Sequence, residues 1–424
     1  MTPYMRKLFA LLLCTCALTA MADGKYVGGD ISLLPSYTGH GALYYDTDGN
    51  RIDAPLTYFK ELGMNAMRVR LFVDPSKASS DDKGQGVCQD LDYVKALGKE
   101  IKEAGMALML DFHYSDSWAD PAKQWTPDSW TGLSDDELYT RIYEYTKEAL
   151  QQMKAAGATP DFIQTGNEIS YGMLWGKMSD PANTLKKCYV NSDANWPRFT
   201  TLLKKAISAC REECPQAKVV IHTERVAQNE VLKSFYDKMS SYRVDYDIIG
   251  LSYYPYYHGS LTVLEGALNK MEANFPEKEI MLVETGYYHD WQPNDVTYDL
   301  SYTYPISGEG QKAFTEALIA KLNTHEKVTG LFWWFMEANE HGLDWNTQRV
   351  TDKWYNAGLF DNQTGKAEPA IKVLKDFLGQ DGIEALPVSY EAQHSVYTLD
   401  GRSVERPTAP GLYIIDGKKQ LIRR

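Results

Sequence analysis

The chain has 424 residues, enough for one large domain and something smaller. Hydrophobic residues make up 44% and charged residues 24%, a balance that allows an ordinary globular core. The formal net charge of -13 argues against nucleic acid and anionic membrane surfaces as partners.

The first 22 residues have the pattern of a signal peptide. Two basic residues, Arg6 and Lys7, precede an apolar run over residues 8–18, and a small-residue cleavage site follows at residues 20–22. The apolar run is too short to cross a membrane permanently. We therefore predict export to the medium, the periplasm or the cell surface, and no membrane span.

The sequence has six cysteines, and they are relevant to the predicted signal peptide and export. A lipid-modified Cys14 or Cys16 is an alternative to cleavage, although the residues before them lack the usual small-residue pattern. Export permits disulfides, and the four remaining cysteines allow three pairings. Cys210 and Cys214, four residues apart on a predicted helix, are one candidate pair.

Short apolar runs then alternate with helical segments. A capping box at Ser134 and Glu137 predicts the start of the longest helix. The predicted helices cover residues 54–62, 91–104, 135–156, 196–210 and 367–378. The predicted strands cover residues 26–32, 64–73, 106–112, 161–165, 218–222, 247–254, 279–286 and 330–334. Eight such units predict an α/β fold, a (β/α)₈ TIM barrel over residues 23–379.

The pattern changes after about Gly379. Two β runs, residues 396–399 and 412–415, are each followed by an Asp-Gly turn signal. We predict a small C-terminal β tail over residues 380–424, too short to bury a core of its own.

The predicted strand ends carry candidate functional residues. In a TIM barrel these residues lie at the C-terminal ends of the strands. Glu168 ends the fourth strand and Glu284 the seventh, and two carboxylates at one barrel mouth are what glycoside hydrolysis requires. A single strand-end glutamate is more often part of a structural ion pair. Two of them in one barrel favour catalysis.

Several motifs are similar to one known family. They are GGDIS at 28–32, RVR at 68–70, DFHYSDSWADP at 111–121, TGNE at 165–168, SYYP at 252–255 and VET at 283–285. From about Tyr26 to Leu378 the chain resembles glycoside hydrolase family 53, the endo-β-1,4-galactanases. The resemblance implies an endo-acting enzyme that cleaves β-1,4-galactan with retention. It also implies that Glu168 is the acid/base and Glu284 the nucleophile.

The residues expected to bind substrate are spread over the strand ends and the loop after the third strand. Arg70 is expected near Glu284, where it would favour the ionised carboxylate. Tyr254 is expected to orient Glu284, Asn167 to bond the sugar 2-OH, and Trp334 to stack on galactose. The full set is Asp30, Arg68, Arg70, His113, Asp116, Trp118, Asp120, Asn167, His222, Tyr254 and Trp334.

Each of these assignments has a structural alternative. Arg70 could form an ion pair in the barrel interior, and His222 could be a satisfied barrel-mouth histidine. Trp334 could be a core residue. The loop over residues 113–120 could pack only on itself.

The sequence departs from the family in two loops. Some bacterial members bind calcium after the seventh strand, but here residues 287–307 have no tight string of acidic ligands. We therefore predict no cofactor and no metal. After Trp334 the chain continues with Phe335-Met336-Glu337, where a Glu-Pro pair is typical of the family.

Three functions remain in competition. The first is a galactanase, expected to be a monomer whose partner is the polysaccharide. The second is a hydrolase of another β-1,4-linked polysaccharide such as mannan, and the third is a non-catalytic glycan-binding barrel. The motif over residues 111–121 favours the first over the second. The pair Glu168 and Glu284 disfavours the third.

Overall fold

The computed structural model describes residues 24–180, 183, 186–188 and 193–379, together with the backbone of four strands between residues 396 and 422. The predicted signal peptide and the two predicted Asp-Gly turns lie outside the described residues. By internal contacts the chain divides into two compact units, residues 1–379 and 380–424.

The first unit contains a closed barrel of eight parallel strands. Each strand pairs with the next along the chain, and the last pairs with the first. The predicted (β/α)₈ barrel is therefore confirmed. The strands are β1 Tyr26–Asp30, β2 Ala66–Leu71, β3 Ala107–Phe112, β4 Phe162–Thr165, β5 Lys218–Thr223, β6 Ile248–Tyr253, β7 Glu279–Thr285 and β8 Val328–Trp333.

Helices connect the strands. The α-helices are α1 Leu34–His40, α2 Pro55–Glu61, α3 Ser80–Gly84, α4 Leu91–Glu103, α5 Asp135–Ala155, α6 Trp196–Glu213, α7 Asn229–Ser241, α8 Pro255–His258, α9 Leu261–Asn274 and α10 Gly308–Leu322. A two-stranded sheet of Tyr44–Tyr45 and Arg51–Ile52 lies between α1 and α2. The capping box at Ser134 is present at the start of α5.

The predicted closing helix is wrong in type. Residues 367–378 contain two short 3-10 helices, Pro369–Lys372 and Leu374–Leu378, instead of one α-helix. Their backbone hydrogen bonds span three residues, as in the bond from the Val373 N–H to the Ala370 carbonyl. The buried side chains recur every three to four residues, a spacing that fits either type of helix.

An apolar layer closes the lower half of the barrel. Seven strands contribute inward-facing side chains to it, two from β7 and one from each of the others, and all are buried. They are Ala66, Met109, Phe162, Val220, Ile248, Met281, Val283 and Phe332. The inward-facing polar side chains come later along the strands than this layer, so they lie at the C-terminal mouth of the barrel.

The tail is a small antiparallel sheet. Its strands are β9 Val396–Thr398, β10 Ser403–Val404, β11 Gly411–Ile415 and β12 Lys418–Ile422, in the order β10-β9-β11-β12. Two of these strands correspond to the two predicted β runs.

Cysteines and hydropathy add two observations. The four described cysteines, Cys88, Cys188, Cys210 and Cys214, are all free thiols, so the suggested pairing of Cys210 with Cys214 is wrong. Within the described part of the chain, no helix has the length and apolar character needed to cross a bilayer.

Candidate active site

A bulge in β7 turns Glu284 into the barrel. Leu282 pairs with Leu251 of β6, but the next pair is Glu284 with Ser252, so β7 has one extra residue at Val283. Strict alternation from the inward-facing Met281 would place Glu284 on the helix side of the sheet. The extra residue reverses the alternation, and bulges of this kind re-aim side chains beside active sites.

Glu168 lies at the same mouth and itself has a left-handed backbone conformation. Strand β4 ends at Thr165, and Glu168 has φ 46° and ψ 52° immediately before the short 3-10 helix Ile169–Tyr171. This conformation costs a non-glycine residue roughly 1–2 kcal/mol and is found mainly where the surrounding structure enforces it. Phe335, just after β8, has φ 48° and its ring stacks on that of the cavity residue Trp334.

Both glutamates line one cavity at the C-terminal end of the barrel. Its volume is about 380 Å³. Aromatic side chains and carboxylates form much of its wall. The lining residues are Gln85, Trp118, Ala119, Asp120, Pro121, Lys123, Asn167, Glu168, Glu224, Tyr254, Tyr257, His258, Glu284, Trp334 and Trp354.

A single hydroxyl lies between the two glutamates. Ser252 Oγ donates to Glu168 Oε1 at 2.6 Å and lies 3.5 Å from Glu284 Oε2. Glu168 Oε1 and Glu284 Oε2 are therefore at most about 6 Å apart, less than the roughly 6.5–9.5 Å between the carboxyl groups of inverting glycosidases.

Besides Ser252, Glu284 contacts one cation and the hydroxyl of Tyr254. Its Oε1 lies 3.0 Å from Arg68 Nη2, and its Oε2 accepts a hydrogen bond from the Tyr254 hydroxyl at 3.0 Å. Burial raises the pKa of Glu284 to about 7, and the Arg68 guanidinium opposes that rise.

Glu168 has different surroundings. Burial raises its pKa well above the usual range, and the nearby charges of Glu284 and Glu224 raise it further. The hydrogen bond from Ser252 acts in the opposite direction. Of the two carboxyls, Glu168 therefore keeps its proton to higher pH, so one can donate a proton while the other is an anion.

The cation beside Glu284 is Arg68, and the expectation that it would be Arg70 is wrong. Arg68 contacts Asp30 at 3.0 Å, Asp111 at 2.8 Å and Glu284 at 3.0 Å. Both arginines face the barrel interior because they are two residues apart on β2. Arg68 is the deeper of the two, at the level where Glu284 enters.

Arg70 instead supports an aromatic cluster. Its Nε lies 3.3 Å from Asp30 Oδ1. Its guanidinium lies 4.7 Å from the ring centre of Trp118, 4.9 Å from that of Trp334 and 4.6 Å from that of Phe335. The Trp334 and Phe335 rings stack at 4.6 Å, so Arg70 packs below the tryptophan that lines the cavity.

The structure separates the predicted binding residues into two layers. Trp118, Asp120, Asn167, Tyr254 and Trp334 line the cavity and can meet a ligand directly. The second group is buried to 1% exposure or less and does not line the cavity, so its contact with substrate stays a prediction: Asp30, Arg68, Arg70, His113 and His222.

Asp116 belongs to neither layer. Its Oδ2 accepts a hydrogen bond from the Asp128 backbone N–H at 2.7 Å, and it does not line the cavity. It fixes the loop after β3, so its predicted role in substrate binding is not supported by its position. Asp120 anchors the same loop through the Ala122 N–H but faces the cavity.

Ion pairs and hydrogen bonds connect much of the buried layer. Asp111 contacts Arg68 and, at 3.1 Å, His113 Nε2, while His113 Nδ1 accepts from the Ala119 N–H. Arg68 Nη2 also donates to Asn167 Oδ1 at 2.9 Å. The network thereby ties the cation beside Glu284 to the residue preceding Glu168.

Sequence reasoning missed several residues of the site. Ser252 and Asp111 lie within the motifs already noted, and the period-2 alternation of β3 places Asp111 on the same face as His113. Glu224 lies two residues after His222, so the same alternation places it on the same face as His222. Trp354 offered no such signal: it reaches the cavity from a long loop, with φ 66° and its ring 5.4 Å from that of Tyr254.

The described residues include several carboxylates and histidines of the kinds that bind metal ions. Nowhere among them do three or more His, Cys, Asp or Glu side chains converge as a metal site would require. In the loop after β7, Asp299 is engaged by the backbone N–H of Ser301.

Two carboxylates at the ends of β4 and β7 of a TIM barrel, in an aromatic cavity, define a class of protein. The chain is a glycoside hydrolase of the barrel type. It belongs to glycosyl hydrolase family 53, whose family model matches residues 26–374.

Individual relatives agree with this assignment. The arabinogalactan endo-beta-1,4-galactanase of Cellvibrio japonicus is 32% identical over 388 residues, covering 86% of this chain and 95% of that protein. The endo-beta-1,4-galactanase of Bacillus subtilis is 29% identical over 383 residues, covering 82% and 85%. The solved GH53 catalytic domain of Ignisphaera aggregans superposes with a TM-score of 0.71 at 31% identity, covering 84% and 97%.

Proposed function

We propose that the protein is an exported endo-β-1,4-galactanase that works by a retaining double displacement, with Glu168 as acid/base and Glu284 as nucleophile. The observation that carries the proposal is the pair itself. The two carboxyls lie on either side of the Ser252 hydroxyl in one cavity, and only Glu284 is paired with a buried arginine.

The first step would form a glycosyl ester. The Glu284 carboxylate attacks the anomeric carbon while Glu168 protonates the departing glycosidic oxygen, so one C–O bond forms as another breaks. Glu168, now ionised, then takes a proton from water, and the water oxygen displaces Glu284 from the sugar. Two inversions at the same carbon give net retention.

The cavity wall offers contacts for a neutral sugar. Trp334 and Trp118 present aromatic faces that can stack on the apolar side of a galactose ring. Asn167 has its Nδ2 bonded to the Ala119 carbonyl at 2.8 Å, which fixes the amide beside Glu168. We propose that the second Nδ2 proton serves the sugar 2-OH.

Internal cleavage of a polymer needs a binding surface longer than one sugar. A second cavity of about 490 Å³ shares Gln85, Tyr257 and Trp354 with the first and continues to Trp291, which is 43% exposed. This continuity supports a chain-binding groove.

The substrate is proposed from relatives named as galactanases. Incubation with galactan, mannan and cellulose, followed by measurement of reducing ends, tests it. We expect release from galactan only, with a rapid fall in mean chain length that marks endo action. Equal release from mannan would assign the enzyme to a different polysaccharide.

The nucleophile is tested separately. Glu284→Ala should lose galactan hydrolysis, because no glycosyl ester can form, while remaining folded. Azide should restore partial turnover of an activated substrate and give a glycosyl azide of inverted configuration. Normal activity in the purified variant would remove Glu284 from the mechanism.

Export remains a proposal based on residues 1–22. Fractionation of cells that express the full chain should place the active protein outside the cytoplasm, with its N-terminus near Asp23. Replacement of Arg6 and Lys7 by neutral residues should retain it in the cytoplasm.

We also propose that the protein is a monomer, and light scattering should show the mass of a single chain.

A further inference from the structure

Ser252 stands at the centre of the site. It is fully buried at the end of β6. Its Oγ lies 2.6 Å from Glu168 Oε1, 3.5 Å from Glu284 Oε2 and 2.8 Å from His222 Nε2. A hydroxyl has one proton to donate and two lone pairs with which to accept. The protonation states of its three neighbours therefore decide where that one proton is directed.

His222 supplies one of the accepted bonds. Burial lowers its pKa well below the usual value, so the imidazole is neutral and has a single N–H. Two donors reach its Nδ1, Gln164 Nε2 at 3.0 Å and the Glu168 backbone N–H at 3.4 Å. Gln164 Nε2 has two protons, and Asp111 Oδ1 accepts one of them at 2.6 Å, which leaves one for Nδ1. Asn167 Oδ1, also 3.0 Å from Nδ1, accepts from Arg68 Nη2 at 2.9 Å.

With Nδ1 accepting, the ring proton is on Nε2 and is donated to Ser252 Oγ. One lone pair of the hydroxyl is then used. The proton of Ser252 itself is left for a carboxylate, and two carboxylates are within reach.

We propose that Ser252 is a positioning residue that donates its one proton to whichever of Glu168 and Glu284 is ionised. The proposal goes beyond the general mechanism but rests on the proposed roles of the two glutamates. Ser252 keeps its proton throughout, and only the direction of its hydrogen bonds changes.

Two arrangements follow for the two halves of the reaction. Before the first step Glu168 is protonated and needs no donor, so the serine proton turns to the Glu284 anion. In the glycosyl ester Glu284 has no charge, and Glu168 is the base. The serine proton then turns to Glu168, at the 2.6 Å distance seen here.

The charges around the two glutamates set the background for this switch. Glu224 and Asp120 approach Glu168, and each disfavours its ionised form. Arg68 and the Tyr254 hydroxyl favour the Glu284 anion, whereas Asp111 and Asp30 disfavour it. None of these neighbours takes part in a bond change in the proposed mechanism, so the charge on each glutamate decides the direction of the Ser252 proton.

The test is the pH profile of kcat/KM on galactan for Ser252→Ala. Each anion loses a donor, so both carboxyl pKa values rise. The acidic limb, where Glu284 ionises, and the basic limb, where Glu168 loses its proton, should both move to higher pH by roughly half to one unit. The maximum should fall roughly 10- to 100-fold, the worth of a hydrogen bond to a charged group.

Thr223→Val is the matched control. Thr223 is equally buried at the end of β5, and its hydroxyl faces Tyr236 at 3.3 Å, away from both glutamates. We expect unchanged limbs and near-normal activity. If Ser252→Ala does not fold, Ser252→Cys takes its place, because the thiol is of similar size but a weak donor. We expect both limbs of its kcat/KM profile to move to higher pH.

The outcomes separate this inference from the proposed function. Glu168→Gln should abolish the basic limb, and if that limb persists then the acid/base assignment itself is wrong. If Glu168→Gln removes the limb but the Ser252 variants leave both limbs in place, the acid/base assignment stands and the role of Ser252 is refuted. Movement of only one limb would show that Ser252 serves one glutamate alone and would also refute the switch.

Discussion

Arg68 contacts three carboxylates at once, and this arrangement decides which arginine can tune Glu284. Its guanidinium lies within 3.0 Å of Asp30, Asp111 and Glu284, all in the barrel interior. A lysine has one compact charge on a flexible stem and cannot span three partners with a planar fork. Arg70 shares Asp30 but otherwise meets aromatic rings.

We therefore expect Arg68→Lys and Arg70→Lys to have different pH profiles. In Arg68→Lys the cation is withdrawn from Glu284, so the pKa of that carboxyl rises. The acidic limb of kcat/KM should move to higher pH by roughly one unit. Arg70→Lys should leave the limb in place and raise KM, because the ring of Trp334 loses its support. Equal shifts in both variants would contradict the assignment of Arg68 as the partner.

The limits of sequence reasoning are clearest among these residues. Alternation placed Arg68 and Arg70 on one face of β2, but a strand pattern has no information about depth along the barrel. The choice of Arg70 failed for that reason. The left-handed conformation of Glu168 was likewise invisible in the sequence, since this backbone geometry favours glycine and asparagine.

Among the elements, β7 shows how a local irregularity makes the site. Its apolar run predicted a buried strand, and the strand is present. The bulge at Val283 was not predictable, because its cause is the pairing with β6 on one side and β8 on the other. Without it, Glu284 would point at the helices.

The long helix α5 allows a prediction about stability alone. Ser134 and Glu137 form the capping box that satisfies backbone N–H groups at its start, and neither residue lines the cavity. Ser134→Ala should lower the free energy of unfolding by about 1 kcal/mol. Galactan hydrolysis should not change. Chemical denaturation measures the first and a reducing-end assay the second.

Ser241→Ala is the control for that substitution. Ser241 is exposed at the end of α7, and its hydroxyl bonds only to the Lys238 carbonyl of its own helix. We expect a change within about 0.5 kcal/mol. A loss as large as that of Ser134→Ala would show that the capping box has no special effect.

At the scale of the whole molecule, the barrel and the tail are separate compact units. The eight-strand order followed from apolar runs of the right length, and the loop residues that complete the cavity did not. Trp354 reaches the cavity from a loop whose sequence has no period to read.

Truncation tests the independence of the barrel. A chain that ends at Gly379 retains all eight barrel strands and every residue of the cavity. It should fold and hydrolyse galactan at a rate within about twofold of the full chain, because it retains the whole described part of the first compact unit. Insolubility or loss of activity would show that residues 380–424 belong to the catalytic domain.

The central claim is that Glu168 moves the proton in both half-reactions, and the kinetics of Glu168→Ala on two substrates test it. Galactan has a poor leaving group, so its hydrolysis should fall by roughly 10²–10⁴-fold, the usual worth of general acid catalysis.

The second substrate is an aryl galactobioside, whose leaving group needs little protonation. Its first step should survive in Glu168→Ala, and the glycosyl ester on Glu284 should accumulate because no base activates water. The predicted trace is a burst of aryl alcohol, equal to the enzyme concentration, followed by slow turnover. Equal losses on both substrates with no burst, together with a lowered Tm, would contradict the claim and leave Glu168 a structural residue.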